Sequence, residues 1–179
     1  MINFTSFPNL KTKKLLLRRI EQNDVHDLYT MRKDSRMHTF TDTKVDESIE
    51  ETNLYMDQMN KGVDDKKWLI WAIEHKQSKK VIGTISIWNL NKDEKSGELG
   101  YGIIPAYQGQ GLMQESLLSV AEYGFEQMNL EKLLAYTEER NEPSINLLVK
   151  CKFVEIGRVD EQGYTNKQMY RLVVYQLER

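Results

Sequence analysis

The segment from Gly97 to Glu115 constrains the fold more than any other part of the sequence. Glu98–Ile104 reads as a strand, a glycine-rich turn follows it, and a long helix begins after Gly111. The apolar residues of that helix keep to one face: Met113, Leu117, Val120, Ala121 and Met128. Because Leu133–Thr137 reads as the next strand, we expect the helix to cross between two parallel strands.

The remaining elements place this crossover inside a mixed sheet. Further strands are predicted at Leu15–Ile20, Trp68–Ile73, Val81–Trp88, Phe153–Val159 and Met169–Leu177. Further helices are predicted from Asn23 and Asp24 through Arg32, from about Asp46 to Asn60, and from Pro143 through Lys150. The order predicts an α/β fold: a mixed, mostly antiparallel central sheet with helices on both faces and a hairpin at the end of the chain.

Length and composition predict one domain that spans residues 1–179. The chain has 179 residues, 40% of them hydrophobic and 29% charged, with only three Pro, which excludes disordered and collagen-like classes. A chain of this length buries enough surface to fold without metal or disulfide staples. No internal repeat, low-complexity tract or long linker divides it.

Charge, cysteine and histidine content exclude several classes of protein. The formal net charge of −2 gives no reason to expect direct nucleic-acid binding. The longest charge-free run, Leu99–Gln114, is too rich in Gly and Gln to span a membrane, and the N-terminus lacks the pattern of a signal peptide. A single cysteine, Cys151, indicates a reducing compartment, most simply the cytoplasm. The three histidines lie far apart, so no metal site is predicted.

The turn before the long helix is a candidate anion site. Exposed N–H groups and the positive end of the helix dipole favour a phosphate there, and Gly109 and Gly111 would let the backbone approach it closely. Glycines that merely shape the turn explain the pattern equally well. A dinucleotide-binding fingerprint does not fit, because its third glycine would fall at Gln114 and the unit follows an antiparallel meander.

Four motifs are spaced along nearly the whole chain. They are Thr12-Lys-Lys-Leu-Leu-Leu-Arg18, Gly97-Glu-Leu-Gly-Tyr-Gly102, Gln108-Gly-Gln-Gly111, and Asn141-Glu-Pro-Ser144 followed by Phe153. In this order and spacing they resemble the GNAT acetyltransferase superfamily, whose pyrophosphate loop reads Q/R-x-x-G-x-G/A. Within that superfamily they are most similar to the ribosomal-protein N-terminal acetyltransferases of RimJ/RimL type.

The resemblance implies a fold that binds acetyl-CoA beside a splayed central strand pair, without a metal. The loop would hold the CoA pyrophosphate through main-chain N–H groups; its members are Gln108, Gly109, Gln110, Gly111, Leu112 and Met113. Main-chain N–H groups at Ile103 and Ile104 would hold the thioester and pantetheine, and one of them would stabilise the oxyanion. Asn141 and Ser144 match residues that contact pantetheine in the family.

Three positions depart from the family pattern. Met113 occupies the last position of the loop, where the family has a small residue; a larger side chain is tolerated there because the loop binds through its backbone. Lys152 replaces the glycine that usually precedes Phe153. Leu148 stands where many relatives carry a tyrosine that protonates the departing thiolate. Ser144 is the candidate to replace that tyrosine as a catalytic hydrogen-bond donor to the sulfur, although serine is also an ordinary residue at a helix N-terminus.

Glu98 is the candidate general base, because the resemblance places a carboxylate on this strand in many relatives. A solvated glutamate at a strand end is the alternative. An α-amino group, with a reference pKa of roughly 7.7–8.0, costs about 1 kcal/mol to deprotonate at neutral pH, whereas a lysine costs about 4–5 kcal/mol. One carboxylate acting through a water would therefore suffice for an N-terminus.

The second predicted helix carries a run of acidic residues: Asp46, Glu47, Glu50, Glu51 and Asp57. Such a run is usually a solvated helix face. In the family this helix borders the acceptor groove, so the run, together with Glu138 and Glu139, is a candidate attraction for a positively charged acceptor. Trp68, Trp71 and Trp88 are expected in the core, with a wall of that groove as the alternative for Trp88.

We therefore expect an acetyl-CoA-dependent N-acetyltransferase that acts on a primary amine. The foremost acceptor is the α-amine of a protein or peptide, a basic protein N-terminus among the candidates. Two alternatives stay open: acetylation of a small amine such as a polyamine or aminoglycoside, and a catalytically silent module that binds acyl-CoA. The sequence leaves open whether the protein is a monomer or a homodimer.

Overall fold

The computed structural model describes residues 6–179, so the first part of the N-terminus considered for a signal peptide, residues 1–5, lies outside it. The strands of the described chain are β1 (Leu10–Lys11), β2 (Leu15–Arg18), β3 (Leu69–His75), β4 (Val81–Asn91), β5 (Ser96–Ile103), β6 (Lys132–Glu138), β7 (Val154–Gln162) and β8 (Met169–Glu178). Its α-helices are α1 (Val25–Arg32), α2 (Ile49–Asp64), α3 (Leu112–Glu126) and α4 (Glu142–Lys150). Short 3₁₀ turns occupy Gln22–Asp24, Ser35–His38 and Pro105–Tyr107.

The eight strands form one sheet in the order β1-β2-β3-β4-β5-β6-β8-β7. Neighbouring strands are antiparallel except β5 and β6, which α3 connects as a parallel crossover. The predicted mixed, mostly antiparallel α/β fold is therefore confirmed, with the parallel step after Gly111 as expected. The sequence did not predict β1, because its two residues carry too short a pattern to be recognised as a strand.

The start of α2 differs from the prediction for a local reason, whereas the start of α1 agrees with it. The α2 helix begins at Ile49, and not near Asp46, because the side chain of Ser48 accepts the N–H of Glu51 at 3.3 Å and caps the helix there. Asp24 is the N-cap residue of α1, as predicted, although its side chain makes no cap bond to the helix. Its carboxylate accepts both terminal nitrogens of Arg18, each at 2.8 Å, and so ties the chain before α1 to β2.

The central strand pair separates soon after it forms. Pairing between β5 and β6 covers only Ser96 with Lys132, Gly97 with Leu133, and Glu98 with Leu134. Beyond Glu98, β5 continues to Ile103 while it is paired with β4 alone. This confirms the splayed pair, and it leaves one edge of β5 open.

The two faces of the sheet carry different helices. Gly124 of α3 lies so close to Ile87 on β4 that an added Cβ would come within 3.2 Å of its Cδ1. The side chains of Thr84, Ser86 and Trp88 alternate with Ile87 along β4 and therefore point to the opposite face, which α1 and α2 border. Trp71 is fully buried, as expected of the core, whereas Trp88 is 46% exposed.

A buried ion pair joins the end of α1 to the chain before α2. The Asp46 carboxylate accepts Nε of Arg32 at 2.6 Å and the hydroxyl of Thr52 at 2.7 Å, and the Arg32 guanidinium also stacks 3.8 Å from the centre of the Tyr55 ring. Burial alone would raise the pKa of Asp46, but the hydrogen bonds from Arg32 and Thr52 outweigh it and lower that pKa below its ordinary value. The pair therefore fixes α1 relative to α2.

We expect Asp46→Ala to lower the free energy of unfolding by about 3 kcal/mol, because it leaves the partly buried Arg32 without its counterion. Because the folded-state pKa of Asp46 is lowered, the carboxylate stabilises the fold above the ordinary Asp pKa, and this contribution is lost as the pH falls through the lowered value. The difference from wild type should therefore shrink in urea titrations run from pH 7 down to about pH 2. Asp57→Ala, at an exposed position of α2, is the control and should change stability by less than about 0.5 kcal/mol. A loss below about 1 kcal/mol for Asp46→Ala would contradict this account.

Candidate functional site

A groove of about 440 Å³ opens where β5 and β6 separate, and we call it the β5–β6 groove. The end of β5, the loop before α3, helix α4 and the segment 36–41 form its walls. Predicted site residues that line it are Ile103, Gln108, Gly109, Gly111, Leu112, Met113, Asn141 and Ser144. Ile104, Gln110 and Glu98 do not line it.

The loop before α3 presents a row of main-chain N–H groups. Gly109 and Gly111 have φ angles of 72° and 76°, a left-handed conformation that favours glycine, and Gly111 is the N-cap of α3. The first helical N–H to find an acceptor is that of Glu115, which donates to the carbonyl of Gly111 at 3.0 Å. Within residues 6–179, the N–H groups of residues 109–114 have no acceptor. A Cβ added at either glycine would meet no atom within 4 Å, so the loop faces open space.

The two glutamines of the loop hold its shape. Gln108 donates its side-chain Nε2 to the carbonyl of Ile103 at 3.0 Å and its main-chain N–H to Pro105 at 3.1 Å. Gln110 donates Nε2 to the carbonyl of Ala106 at 3.0 Å. Both side-chain amides thus connect the loop to itself or to the end of β5, and the donors left for a ligand are the main-chain groups that follow Gln108.

The open edge of β5 offers different N–H groups from those predicted. Ile104 donates its N–H to the carbonyl of Ile82 on β4 at 2.9 Å, so that group is not available to a ligand, which corrects the expectation for Ile104. Because main-chain groups alternate in direction along a strand, those of Ile103 and Tyr101 point to the side from which β6 has separated. The donors along the groove are therefore at Ile103, as predicted, and at Tyr101, which sequence reasoning missed.

Two hydroxyl groups meet across the groove. The Tyr101 hydroxyl lies 2.8 Å from Oγ of Ser144, and Ser144 is held at the start of α4, where its N–H donates to Oδ1 of Asn141 at 3.3 Å. Burial raises the pKa of Tyr101 to about 12, against a smaller opposite effect of the Ser144 hydrogen bond, so the phenol stays protonated at neutral pH. Each hydroxyl carries one proton, so whichever donates in this contact, the other keeps its proton for a ligand.

A second cavity, of about 340 Å³, lies beneath α1 and α2 on the face of the sheet that carries Trp88; we call it the α1–α2 cavity. It meets the β5–β6 groove at a shared wall formed by Met37, Thr41, Tyr101 and Gly102. Gly100 and Gly102 form part of its floor, where an added Cβ would come within 2.9 Å of Ser86 Oγ and 3.2 Å of Met37 Cε, respectively. The two spaces thus meet on β5 at Tyr101, the residue whose hydroxyl reaches Ser144.

Glu98 lies on the face of β5 that forms the floor of the α1–α2 cavity, although it does not line the cavity itself. Strand geometry puts its Cα roughly 7 Å before Gly100 and roughly 13 Å before Gly102. Its carboxylate accepts the side-chain amide of Asn89 in a short hydrogen bond. Burial raises the pKa of Glu98 above its ordinary value and the neighbouring Glu161 adds to the rise, while the bond from Asn89 opposes it.

At one point of the sheet, β5 borders a groove, an anion-binding loop and a second cavity. This arrangement is suited to bringing two substrates together. The family model for the acetyltransferase (GNAT) domain matches residues 14–154 of this chain. The chain belongs to the GNAT acetyltransferase family. The resemblance stated from the four motifs is thereby confirmed, and the protein is an N-acetyltransferase that uses acetyl-CoA.

Named relatives cover nearly the whole of this acetyltransferase. YoaA of Bacillus subtilis, an uncharacterized N-acetyltransferase, is 29% identical over 171 residues, which cover 96% of this chain and 97% of YoaA. A spermidine N(1)-acetyltransferase of Vibrio cholerae is 27% identical over 173 residues, covering 93% of this chain and 97% of the relative. Among solved structures, RimL, a ribosomal L7/L12 α-N-protein acetyltransferase in complex with coenzyme A, is similar with a TM-score of 0.85 at 18% identity, covering 96% of this chain and 98% of that one. At that identity the likeness shows the fold alone.

The residues of this GNAT domain fit the CoA that the family uses. The N–H groups of residues 109–114 lack acceptors within the described chain and face open space, as a diphosphate would require. Leu112 and Met113 bury their side chains and can offer only their main-chain groups, so the large Met113 does not narrow the loop. In residues 6–179 no group of three or more His, Cys, Asp or Glu is arranged to hold a metal ion, and no helix there has the length and apolar character to cross a membrane.

Leu148 is fully buried in the core of the acetyltransferase and lines neither the groove nor the cavity. Leu148, which stands where many relatives carry a tyrosine, therefore contributes only to packing in this chain. Thr41 also places a hydroxyl group at the junction, but that group lies 2.7 Å from Oγ1 of Thr43, so Ser144 and Tyr101 are the hydroxyl pair that spans the groove. Tyr101 stands in the Gly97–Gly102 motif, but nothing in the sequence indicates that its hydroxyl would reach Ser144.

The acidic residues expected to attract a cationic acceptor line neither space in the described structure. Asp46 is paired with Arg32, and Glu51 accepts the N–H of Glu47 at 2.9 Å and lies 3.4 Å from Lys44. On β6, Glu138 is buried and accepts Nε of Arg140 at 2.7 Å. Glu139 lies 3.6 Å from Arg158 and 3.5 Å from Arg171. None of these carboxylates therefore supplies a charge to the walls of the site, and attraction of a basic acceptor by them stays a prediction.

We expect Gly111→Asn to weaken CoA binding at least about tenfold, because the new side chain would enter the open space in front of the loop N–H groups. Asn tolerates the left-handed backbone of Gly111, so the melting temperature should change by only a few degrees. Isothermal titration calorimetry with CoA measures the affinity. Gly157→Asn, at a β7 glycine that also faces open space, is the control and should leave the affinity unchanged. An unchanged CoA affinity in folded Gly111→Asn would show that the loop does not hold the diphosphate.

Proposed function

We propose that this acetyltransferase transfers acetyl groups to the α-amine of a protein or peptide N-terminus. The observation that carries the proposal is the junction at Tyr101 and Gly102, where the β5–β6 groove meets the α1–α2 cavity. A thioester in the groove and an amine in the cavity would meet there. RimL, which shares the fold, is named for α-N-protein acetylation, so this fold can accommodate an acceptor of that class.

Glu98 is the proposed general base. Its raised pKa makes it a stronger base than an ordinary glutamate, and its place on the cavity face of β5 lets it reach the amine through intervening water. An α-amine needs no stronger base, because roughly one amine group in ten is already neutral at pH 7. The distance along β5 excludes direct contact between the carboxylate and an amine at the junction.

Ile103, Tyr101 and Ser144 are the proposed partners of the thioester. Acetyl-CoA supplies an activated acetyl group and leaves as a thiol. The N–H groups of Ile103 and Tyr101 point into the opening of β5 and can donate to the carbonyl oxygen as its negative charge develops. Ser144 can donate a hydrogen bond to the sulfur as the C–S bond breaks, while the Tyr101 hydroxyl donates to Ser144, which fixes the direction of the serine O–H. The amine gives one proton to Glu98 through water and the departing thiolate takes one from water, so the protons balance. Asn141, at the N-cap of α4, is proposed to contact the pantetheine.

We expect Glu98→Gln to lower kcat about 10²–10⁴-fold at neutral pH while the affinity for acetyl-CoA stays nearly unchanged. The wild-type rate should rise with pH through the raised pKa of Glu98 and then through that of the substrate amine. The first of these steps should disappear in the variant, and a higher pH should partly restore its rate because more amine is neutral. Steady-state rates between pH 5 and 10 with a peptide acceptor test this.

Asn89→Ala is a matched variant for that experiment. It removes the hydrogen bond that opposes the pKa rise at Glu98 but keeps the carboxylate, so the pH step should move upward without a large loss of maximal rate. A loss below about threefold in Glu98→Gln, with an unchanged pH profile, would remove Glu98 from the mechanism.

We expect Ser144→Ala and Tyr101→Phe each to lower kcat about tenfold or more, with little change in KM for acetyl-CoA, because each interrupts the same chain of hydrogen bonds. The double variant should then be no slower than the slower single variant. Independent, multiplicative losses in the double-mutant cycle would show that the two hydroxyl groups do not act together, and a change in KM alone would show that they only bind.

A polyamine is the second candidate acceptor. The Vibrio cholerae relative named as a spermidine N(1)-acetyltransferase favours it, since the similarity covers 93% of this chain. Free-thiol release from acetyl-CoA, measured with N-terminal peptides, spermidine and an aminoglycoside in parallel, separates the two. Tight CoA binding without turnover on any amine would instead support the silent module.

We further propose that residues 1–179 form one catalytic domain and that the protein is cytoplasmic. A single sheet that includes both Leu10 and Glu178 supports the first statement. The single, buried Cys151 supports the second, because a reduced thiol is stable in the cytoplasm.

A further inference from the structure

Several polar side chains around the α1–α2 cavity are engaged in hydrogen bonds within the protein. His38 donates Nε2 to the carbonyl of Arg32 at 2.7 Å, since a carbonyl can only accept, and its Nδ1 lies 2.7 Å from Oγ1 of Thr43. Thr43 in turn lies 2.7 Å from Oγ1 of Thr41. Trp68 donates its indole N–H to the carbonyl of Met59 at 3.1 Å. The Ser86 hydroxyl donates to the carbonyl of Gly100 at 3.2 Å, so several donors of the lining are already used within the protein.

The cavity also lacks a negative charge. None of its lining residues is Asp or Glu, and its one guanidinium, Arg32, is neutralised by two hydrogen bonds to Asp46, at 2.6 and 2.9 Å. A lysine or arginine side chain entering it would lose water without gaining a counterion, which is costly. A carboxylate would have to compete with Asp46 for the same guanidinium.

Most of the remaining lining is apolar and adaptable. Beside the hydroxyl groups of Thr84 and Ser86 it has these apolar members: Met31, Met37, Met59, Ile70, Trp68 and Trp88, with the ring of Tyr55 held under Arg32. Methionine side chains are flexible and polarisable and fit apolar groups of several shapes. A volume of about 340 Å³ is at the small end of ligand sites and leaves room for one large side chain beside the peptide backbone.

We infer that this cavity selects acceptors whose first residue is uncharged and large, such as Met, Leu or Phe. The inference rests on the proposed function, because it takes the α-amine to react at the Tyr101 and Gly102 junction. With the amine there, the side chain on the same carbon projects into the cavity that opens at that point. Burial of that side chain against Met59 and Trp68 then positions the amine.

The test compares peptides that are identical after the first residue and begin with Leu, Met, Ser, Lys or Glu. We expect kcat/KM for Leu and Met to exceed that for Ser, Lys and Glu by about 10–100-fold, the range expected for filling a hydrophobic pocket. Spermidine is included as the small-amine arm.

A charge placed in the cavity should reverse this preference. Met59→Glu adds a carboxylate where the lining is apolar, and we expect the ratio of kcat/KM for the Leu peptide to that for the Lys peptide to decrease at least about tenfold. Met59→Gln has nearly the same shape without the charge and should change that ratio far less. Calorimetry with CoA, expected to be unchanged in both, shows that the folded groove is intact. If Met59→Glu does not fold, Thr43→Glu and Thr43→Gln, at an exposed position of the same cavity, give the same comparison.

The outcomes separate this inference from the proposed function. Transfer to peptides with highest kcat/KM for the Lys, Glu or Ser peptide would overturn the inference and leave α-amine acetylation standing. Transfer to spermidine but to no peptide would overturn both. A preference for Leu that Met59→Glu and Met59→Gln alter equally would place the first side chain outside the cavity and would also overturn the inference.

Discussion

The site depends on the hydrogen bonds that β5 and β6 do not make. Their ladder ends at Glu98 and Leu134, and the N–H groups of Tyr101 and Ile103 then face a groove instead of a strand. Main-chain groups that stay unpaired away from water cost about as much as a lost hydrogen bond, so the open edge favours a ligand that can accept from it. The same separation lets the loop before α3 and the start of α4 reach the strand from two sides.

Specific contacts stabilise this open edge. Gln108 satisfies the carbonyl of Ile103 with its side chain, which a neighbouring strand would otherwise do. Tyr101 connects β5 to α4 through Ser144, across the gap. Leu148, one turn further along α4, packs in the core and keeps that helix against the sheet. Two residues of α4 thus have different roles in this chain: Leu148 holds the helix against the sheet, and Ser144 faces the groove.

The sequence predicted the parts of the molecule that depend on local patterns. The strands, the crossover helix and the turn at Gly109 and Gly111 follow from periodicity and from glycine geometry, and both glycines do have positive φ angles. The start of α4 is also local, because Asn141 caps it through the N–H of Ser144. Such features need no knowledge of what lies across the fold.

What could not be predicted depends on the relation between distant segments. The register of β4 against β5 determines that Ile104 bonds to Ile82, and a shift by one residue would exchange its role with that of Ile103. The contact of Tyr101 with Ser144 joins residues 43 positions apart in the sequence. The bond from Asn89 to Glu98 crosses an irregular end of the β4–β5 pair, where the register shifts between Trp88 and Asn91.

The acidic run shows why charges in a sequence predict a binding surface poorly until their partners are known. Asp46 neutralises Arg32, and Glu138 and Glu139 each have arginine partners, so the field of these carboxylates is offset close to its source. What remains is screened over roughly 8–10 Å at physiological salt. An acceptor that reaches the junction therefore meets a cavity that is nearly neutral and mostly apolar, and contact rather than long-range attraction must distinguish one amine from another. Selectivity of that kind acts on the side chain next to the reacting nitrogen, because only that part of the acceptor is enclosed when the acetyl group is transferred.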